Sequence, residues 1–336
     1  MQSGEDAAEA EARARAYGLL ADLVSRGPTA ATLEAARLSP LLGEALAEYP
    51  APILDGAASD HERVFGMELF PQEGWFLDAE GKIGGDATQS LLDLFHRAGC
   101  IPAPGGDGPE HLATALQALS FLSGAEADAL ADGLPEAEER IRALSRELLD
   151  GHLLRWLPVL CVSVRRCGRP FPSALASQIE DLVLLHREGL GPPASPGEFL
   201  AGPALDLDAE ETGLGEIALH LTRPALAGAA LTRADLARAG RLAEAPRGFG
   251  ERAVELENLL RSAARLDRRP EALAALDGIL SAVAVDLEES AGRGAGLEES
   301  IRPWLARIAG TRRLLVLLRT RSAAVAAEGA PAGETP

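Results

Sequence analysis

Aromatic residues and cysteines are both scarce in this chain of 336 residues. Phe, Trp and Tyr together make up 4% of it, and β-branched residues never form an alternating run, so the composition argues against a β-sheet. The three cysteines, Cys100, Cys161 and Cys167, are an odd number and are widely set. They form neither a disulfide framework nor a Cys-x-x-Cys metal site, and they are typical of a protein in a reducing compartment. We therefore expect a cytoplasmic protein.

Long apolar runs and positive charge are also in short supply. No apolar run approaches the roughly 18 residues that a membrane span requires, and residues 1–16 are charged and Ala-rich, so no secretory leader is expected. The chain has 32 Lys and Arg against 51 Asp and Glu, a formal charge of −19. Such a surface repels phosphate backbones and anionic lipids, so nucleic-acid and membrane binding are not expected. It would attract a basic peptide, although solubility alone also explains the acidity.

Motifs for catalysis and metal binding are missing as well. The six histidines never form a His-Glu-x-x-His or Glu-x-x-His pattern with another strong ligand. Neither a phosphate-binding Gly-x-x-x-x-Gly-Lys-Ser/Thr loop nor a Gly-x-Ser-x-Gly nucleophile elbow occurs. We expect no catalytic residue, no metal and no cofactor.

What the chain does contain is typical of helices. Ala, Leu, Glu and Arg dominate, and 47% of the residues are hydrophobic, which predicts an all-α fold with a sizeable core. We expect a helical bundle over residues 1–188, a Gly- and Pro-rich linker over 189–204, a smaller helical domain over 205–327 and a disordered tail over 328–336.

Local signals mark several helix ends. Asp86 is predicted to begin a helix that Gly99 closes. Thr232 with Asp235 is predicted to cap the start of another, and the last helix is expected from about Leu297.

A first His-Leu pair is predicted at the start of a helix. Asp107 or Gly108 can cap this helix, and Pro109 suits its first turn, where no backbone N–H is needed. Glu110 then lies at the positive end of the helix dipole, with His111 in the same turn.

A second His-Leu pair begins at His152. Leu149, Leu153 and Trp156 share one apolar face, which predicts a single helix through this segment with a kink at Pro158. The two pairs together suggest a polar recess set into a helical bundle. The alternative is that both histidines are core residues satisfied by the backbone.

Trp75 and Phe76 lie among glycines and charges in a predicted loop over residues 71–85. Trp75 is either a buried structural residue or the aromatic wall of a binding cleft.

In their order along the chain, these segments resemble the TorD/DmsD/NarJ family of cytoplasmic redox-enzyme maturation chaperones. Pro-Glu-His-Leu at 109–112 is similar to the family's Pro-Asp-His-Leu, and residues 152–158 resemble its His-Leu-x-x-Trp-x-Pro. The likeness covers roughly residues 15–190 and includes a Glu-x-x-x-Phe-like helix at 62–65 and a Pro-x-Glu loop at 71–73. Ala115 stands where the family usually has Glu.

The resemblance implies an all-helical chaperone that performs no catalysis. Such proteins bind the twin-arginine leader, or the body, of an apo-molybdoenzyme until its pterin cofactor is inserted, and they block premature export. By resemblance, Pro109, Glu110 and His111 belong to the peptide-binding surface, with Trp75 and Tyr17 as further aromatic candidates.

The residues themselves add to this predicted site. Glu73 and Glu110 would meet a basic leader, Leu112 and Trp156 would supply apolar walls, and His152 would border the recess. A homodimer is compatible with this interpretation. The alternative function is a non-catalytic helical scaffold or assembly subunit of a redox complex that uses the C-terminal half as its interface.

Overall fold

The computed structural model is helical throughout its described parts, which are residues 2–101, 106–191, 205–294 and 297–328. No strand occurs in these ranges, apart from one isolated β-bridge, so the all-α prediction is confirmed. A π-helical segment, Glu62–Glu68, and a short 3-10 turn, Leu153–Arg155, interrupt the α-helices. The α-helices of the described residues are α1 Gln2–Arg26, α2 Leu33–Leu38, α3 Pro40–Ala47, α4 Ile53–His61, α5 Glu73–Leu77, α6 Asp86–Ala98, α7 Leu112–Asp132, α8 Pro135–Gly151, α9 Leu157–Arg166, α10 Pro170–Gly189, α11 Leu214–Thr222, α12 Pro224–Ala227, α13 Arg233–Leu242, α14 Arg252–Arg265, α15 Arg269–Ala291 and α16 Leu297–Glu328.

The chain divides into two compact units. The first comprises Met1–Leu200 together with Glu289–Ile301, and the second comprises Ala201–Glu288 and Arg302–Pro336. The predicted linker lies outside the described residues from 192 onward, and so does the predicted tail apart from Glu328.

The core of the first unit is built on the pairing of α1 with α7. The two helices approach closely at Gly18, where an added Cβ would lie 3.3 Å from Ser120 Oγ. The same serine hydroxyl donates to the Ala14 carbonyl at 2.7 Å, and Arg13 of α1 forms an ion pair with the buried Glu126 of α7. Small residues at the contact therefore let the helices pack tightly, and polar bonds fix their register.

The helix at the first His-Leu pair begins later than predicted. It starts at Leu112, and His111 is its N-cap with extended backbone angles (φ −74°, ψ 141°). Pro109 and Glu110 therefore precede the helix instead of forming its first turn. The reason is an antiparallel bridge between Gln72 and His111, which holds this stretch extended.

The prediction of one continuous helix through His152 is wrong. Helix α8 ends at Gly151, His152 has non-helical angles (φ −125°, ψ −69°), and α9 begins only at Leu157. Pro158 consequently lies in the first turn of a new helix, where it is tolerated, and kinks nothing.

The predicted loop over residues 71–85 is helical in part. The one-turn helix α5, Glu73–Leu77, contains both Trp75 and Phe76.

The second unit confirms its predicted cap. The Thr232 hydroxyl accepts from the Asp235 N–H at 3.1 Å, and the Asp235 carboxylate accepts from the Thr232 N–H at 3.0 Å. Gly228 (φ 84°) allows α16 to approach, since a Cβ there would lie 2.6 Å from the Ile308 nitrogen. Across both units, none of the described helices is both long and apolar enough to cross a bilayer.

Candidate functional site

Glu110 is a buried carboxylate whose hydrogen-bond donors come from one stretch of chain. Only 3% of the residue is exposed. Its carboxylate accepts from the Gly74 N–H and the Gly84 N–H, each at 2.8 Å, and from the Thr88 hydroxyl. Charge-assisted bonds of this kind are what a buried carboxylate needs to remain ionised. Glu110 therefore fixes three points of residues 71–90, which we call the braced segment.

Backbone pairing strengthens the same connection. The Glu110 carbonyl accepts from the Glu73 N–H at 3.1 Å, and the Leu112 N–H donates to the Pro71 carbonyl at 2.8 Å. The braced segment and the residues just before α7 thus run antiparallel as two short extended stretches.

Gly74 is required where the braced segment passes Glu110. A Cβ at this position would lie 2.4 Å from the Lys82 carbonyl oxygen and 2.5 Å from Glu110 Oε2. Real Cβ atoms do not approach backbone oxygen so closely, so only glycine is tolerated at position 74, where the braced segment folds around the carboxylate.

His152 provides a second connection to the braced segment. Its Nδ1 lies 3.0 and 3.2 Å from the two oxygens of Glu73, and its Nε2 lies 3.3 Å from Ser90 Oγ. Arg155 Nη1 is 3.7 Å from the same carboxylate. Glu73 is 2% exposed and His152 is 7% exposed, so these two side chains are nearly closed to solvent. His152 makes this contact from the break between α8 and α9, where its backbone angles are non-helical.

The side chain of His111 caps the start of α7. Its Nδ1 accepts from the Ala113 N–H at 3.2 Å, which satisfies a donor of the first turn. Burial lowers the pKa of His111; the Asp107 carboxylate, 3.8 Å away, opposes this, and His61 adds to it. The ring is therefore neutral near pH 7, as an acceptor at Nδ1 requires.

A row of aromatic rings leads from the surface into the core beside these clusters. Phe70 contacts Trp75 edge-on at 5.9 Å between centroids, Trp75 contacts Phe76 at 4.7 Å, and Phe76 stacks on Trp156 at 5.2 Å. Phe70 is 40% exposed, whereas Trp156 is buried. Of the two interpretations of Trp75, the structure shows a buried residue, with 8% of its surface exposed.

Tyr17 lies elsewhere in the first unit. Its hydroxyl bonds to Nδ1 of His186 on α10 at 3.1 Å. Burial raises the pKa of the Tyr17 phenol. Burial, with the nearby arginines Arg13, Arg142 and Arg187, lowers the pKa of His186 to about 3.

The structure thus links most of the residues predicted for the site and buries nearly all of them. Its contacts join Glu73, Trp75, Glu110, His111, Leu112, His152 and Trp156 to the braced segment or its partners. Pro109 is half-buried. Between residues 62 and 98, the large apolar side chains that are exposed are Met67, Phe70, Ile83 and Leu92.

The sequence did not predict which residues form hydrogen bonds with Glu110 and His152. Gly74, Gly84, Thr88 and Ser90 belong to the clusters, yet each occurs in a stretch whose local pattern indicates only a turn or a helix. Within the described ranges, no group of three or more His, Cys, Asp or Glu side chains is arranged to hold a metal ion.

This region is similar to one known protein family. Residues 29–162 match the family model described as the nitrate reductase delta subunit, a family of redox-enzyme maturation chaperones. The matched range contains the whole braced segment, Glu110 and His152. The match supports the resemblance drawn from the motifs: residues 29–162 are similar to the NarJ/TorD-like chaperones. Comparisons with curated proteins and with solved structures gave no match.

Proposed function

We propose that this protein is a cytoplasmic chaperone for the maturation of a molybdopterin-dependent oxidoreductase. It holds the twin-arginine leader or the body of the apo-enzyme before cofactor insertion and export, and it performs no catalysis. The observation that carries this proposal is the family match over residues 29–162. The matched range contains Glu110 and His152, which hold the braced segment in place.

The buried carboxylates affect client binding indirectly, by holding the braced segment in place. Glu110 and Glu73 are fully engaged with internal donors, so gripping a leader arginine directly would break those bonds. The brace instead fixes the positions of exposed apolar side chains on or next to the segment, among them Phe70 and Ile83. Apolar leader residues would pack on these side chains, and the burial of apolar surface would lengthen the lifetime of the complex.

The charge of the whole chain favours the same kind of client. A twin-arginine leader is basic, and the chain carries a formal charge of −19. Complementary charge speeds encounter even where individual surface pairs add little affinity.

A single lysine side chain allows this proposal to be tested by cross-linking. Lys82 is the chain's single lysine, and it lies exposed in the braced segment. An amine-reactive cross-linker on the purified complex should therefore join the client to Lys82, with the chain's N-terminal amine as the internal comparison. The cross-linked partner should be an oxidoreductase that lacks its pterin.

The state of the partner distinguishes the two functions. A chaperone should bind the cofactor-free form and release the loaded form. If both forms bind equally and the complex persists after loading, the protein is a scaffold or assembly subunit and the chaperone proposal fails.

A further inference from the structure

Three side chains of the first unit form a hydrogen-bonded row whose chemistry goes beyond bracing the segment. Ser90 Oγ lies 3.3 Å from His152 Nε2, and His152 Nδ1 lies 3.0 Å from Glu73 Oε2. The three residues come from α6, from the α8–α9 break and from α5, so tertiary structure alone assembles them. This is the order in which a serine nucleophile, its base and an orienting carboxylate occur in acyl-transfer sites.

The protonation pattern of the row suits the same chemistry. An ionised carboxylate only accepts hydrogen bonds, so the nitrogen facing Glu73 carries the proton of a neutral imidazole. Nε2 is then the acceptor, and it can take the proton of the Ser90 hydroxyl. Glu73 is 2% exposed and would stabilise the imidazolium that forms.

Access to the row comes from one end. Ser90 is exposed on α6, whereas His152 and Glu73 are buried behind it. A reagent can therefore reach the hydroxyl while the base and the carboxylate remain shielded from solvent.

We propose that Ser90 is an activated nucleophile that takes an acyl or phosphonyl group from an activated ester or fluoride. In the step, Oγ attacks the electrophilic carbon or phosphorus, and the bond to the leaving group breaks. The hydroxyl proton passes to His152 Nε2, and the leaving group departs with its electron pair. Ser90 lies in the middle of α6, where its backbone N–H is committed to the helix, so the inference concerns a single transfer and not turnover.

The direct test uses a fluorophosphonate probe on the full-length chain, with peptide mapping by mass spectrometry. Ser90 should be labelled faster than Ser59, an exposed serine on α4 that makes no side-chain hydrogen bond in the described structure, by about 10²-fold or more, the scale of general-base assistance. Ser90→Ala should abolish that label, and His152→Ala should reduce its rate to that of Ser59. Equal labelling of Ser90 and Ser59 in the wild-type chain would overturn the inference.

A second variant pair avoids disturbing the buried residues. In Ser90→Cys, the imidazole would stabilise a thiolate, so alkylation by iodoacetamide should persist to a pH about one unit lower than in Ser59→Cys. Identical pH profiles of the two variants would contradict the proposal. Neither assay involves a client, so its failure would leave the chaperone function untouched.

Discussion

Glu110 stabilises the braced segment because a carboxylate removed from water must find donors, and residues 74–88 supply three of them. Two of these donors are backbone N–H groups, which a side-chain substitution cannot alter. If the carboxylate is removed, the buried Gly74 N–H loses its acceptor, at a cost of about 1–3 kcal/mol, while the part-buried Gly84 and Thr88 donors lose less because water can reach them. The Glu73–His152 contact and the backbone bonds to Glu110 and Leu112 would still hold the start of the segment, so the loss falls on its later part.

Gly74→Ala should reduce the free energy of unfolding by about 1–3 kcal/mol, because the added methyl group overlaps the Lys82 carbonyl and Glu110. Denaturation in urea measures this loss. Gly124→Ala is the matched control: it lies inside α7 with open space around its Cβ position, so it should be neutral or slightly stabilising. Equal stability of the two variants would show that the close approach at Gly74 does not exist.

The buried His186 should make stability fall in acid. Its folded pKa is about 3, below its ordinary value of 6.5, so between these values the unfolded chain binds the additional proton. Stability is therefore complete above about pH 6.5 and is lost as the pH falls toward 3, by up to about 1.4 kcal/mol per pH unit for this one group. His186→Gln, whose amide can still bond to Tyr17, should show a shallower slope in urea unfolding between about pH 6.5 and pH 4.5. An unchanged slope would rule out this contribution.

Helix boundaries in the first unit are decided by bonds between distant parts of the chain. Helix α7 starts late because Glu110 and His111 pair with the braced segment. Helices α8 and α9 are separate because His152 turns toward Glu73. In the second unit, by contrast, the start of α13 follows a local capping signal.

Thr232→Ala should destabilise the start of α13 by about 1 kcal/mol, because both the N-cap hydroxyl and its reciprocal bond to Asp235 are lost. Hydrogen exchange of the Asp235 amide should accelerate accordingly. Thr232→Ser keeps the hydroxyl and should retain most of the protection. If the serine variant exchanges as fast as the alanine variant, the cap is not what protects this amide.

The same contrast explains how much of the molecule can be predicted from its sequence. The all-α class, the Gly99 helix end and the Thr232 cap follow from composition and local pattern, and the structure confirms them. The start of α7 and the break at His152 do not, since they depend on Gly74–Glu110 and Glu73–His152 contacts that span 36 and 79 residues. Motif order predicted Glu110 as a site residue but not its donors, because Gly74 and Thr88 acquire their role only when the segment folds over Glu110.

For the molecule as a whole, the charge of −19 predicts how salt affects client binding. Raising the salt concentration from about 0.05 M to about 0.5 M should slow association of a twin-arginine leader and leave its dissociation rate nearly unchanged. Stopped-flow fluorescence separates the two rates. A leader whose arginine pair is replaced by glutamine should associate more slowly at low salt and respond less to added salt; identical behaviour of the two peptides would argue against electrostatic steering.

The affinity of a fluorescent twin-arginine leader for the Glu110→Ala variant tests the central claim most directly. If the braced segment forms the client-binding surface, anisotropy titration should show affinity at least about tenfold weaker than wild type, a loss of about 1.4 kcal/mol. Thr232→Ala is the control: it is destabilised in the second unit and should bind as wild type does. A Glu110→Ala variant that remains folded and binds the leader with unchanged affinity would contradict the account.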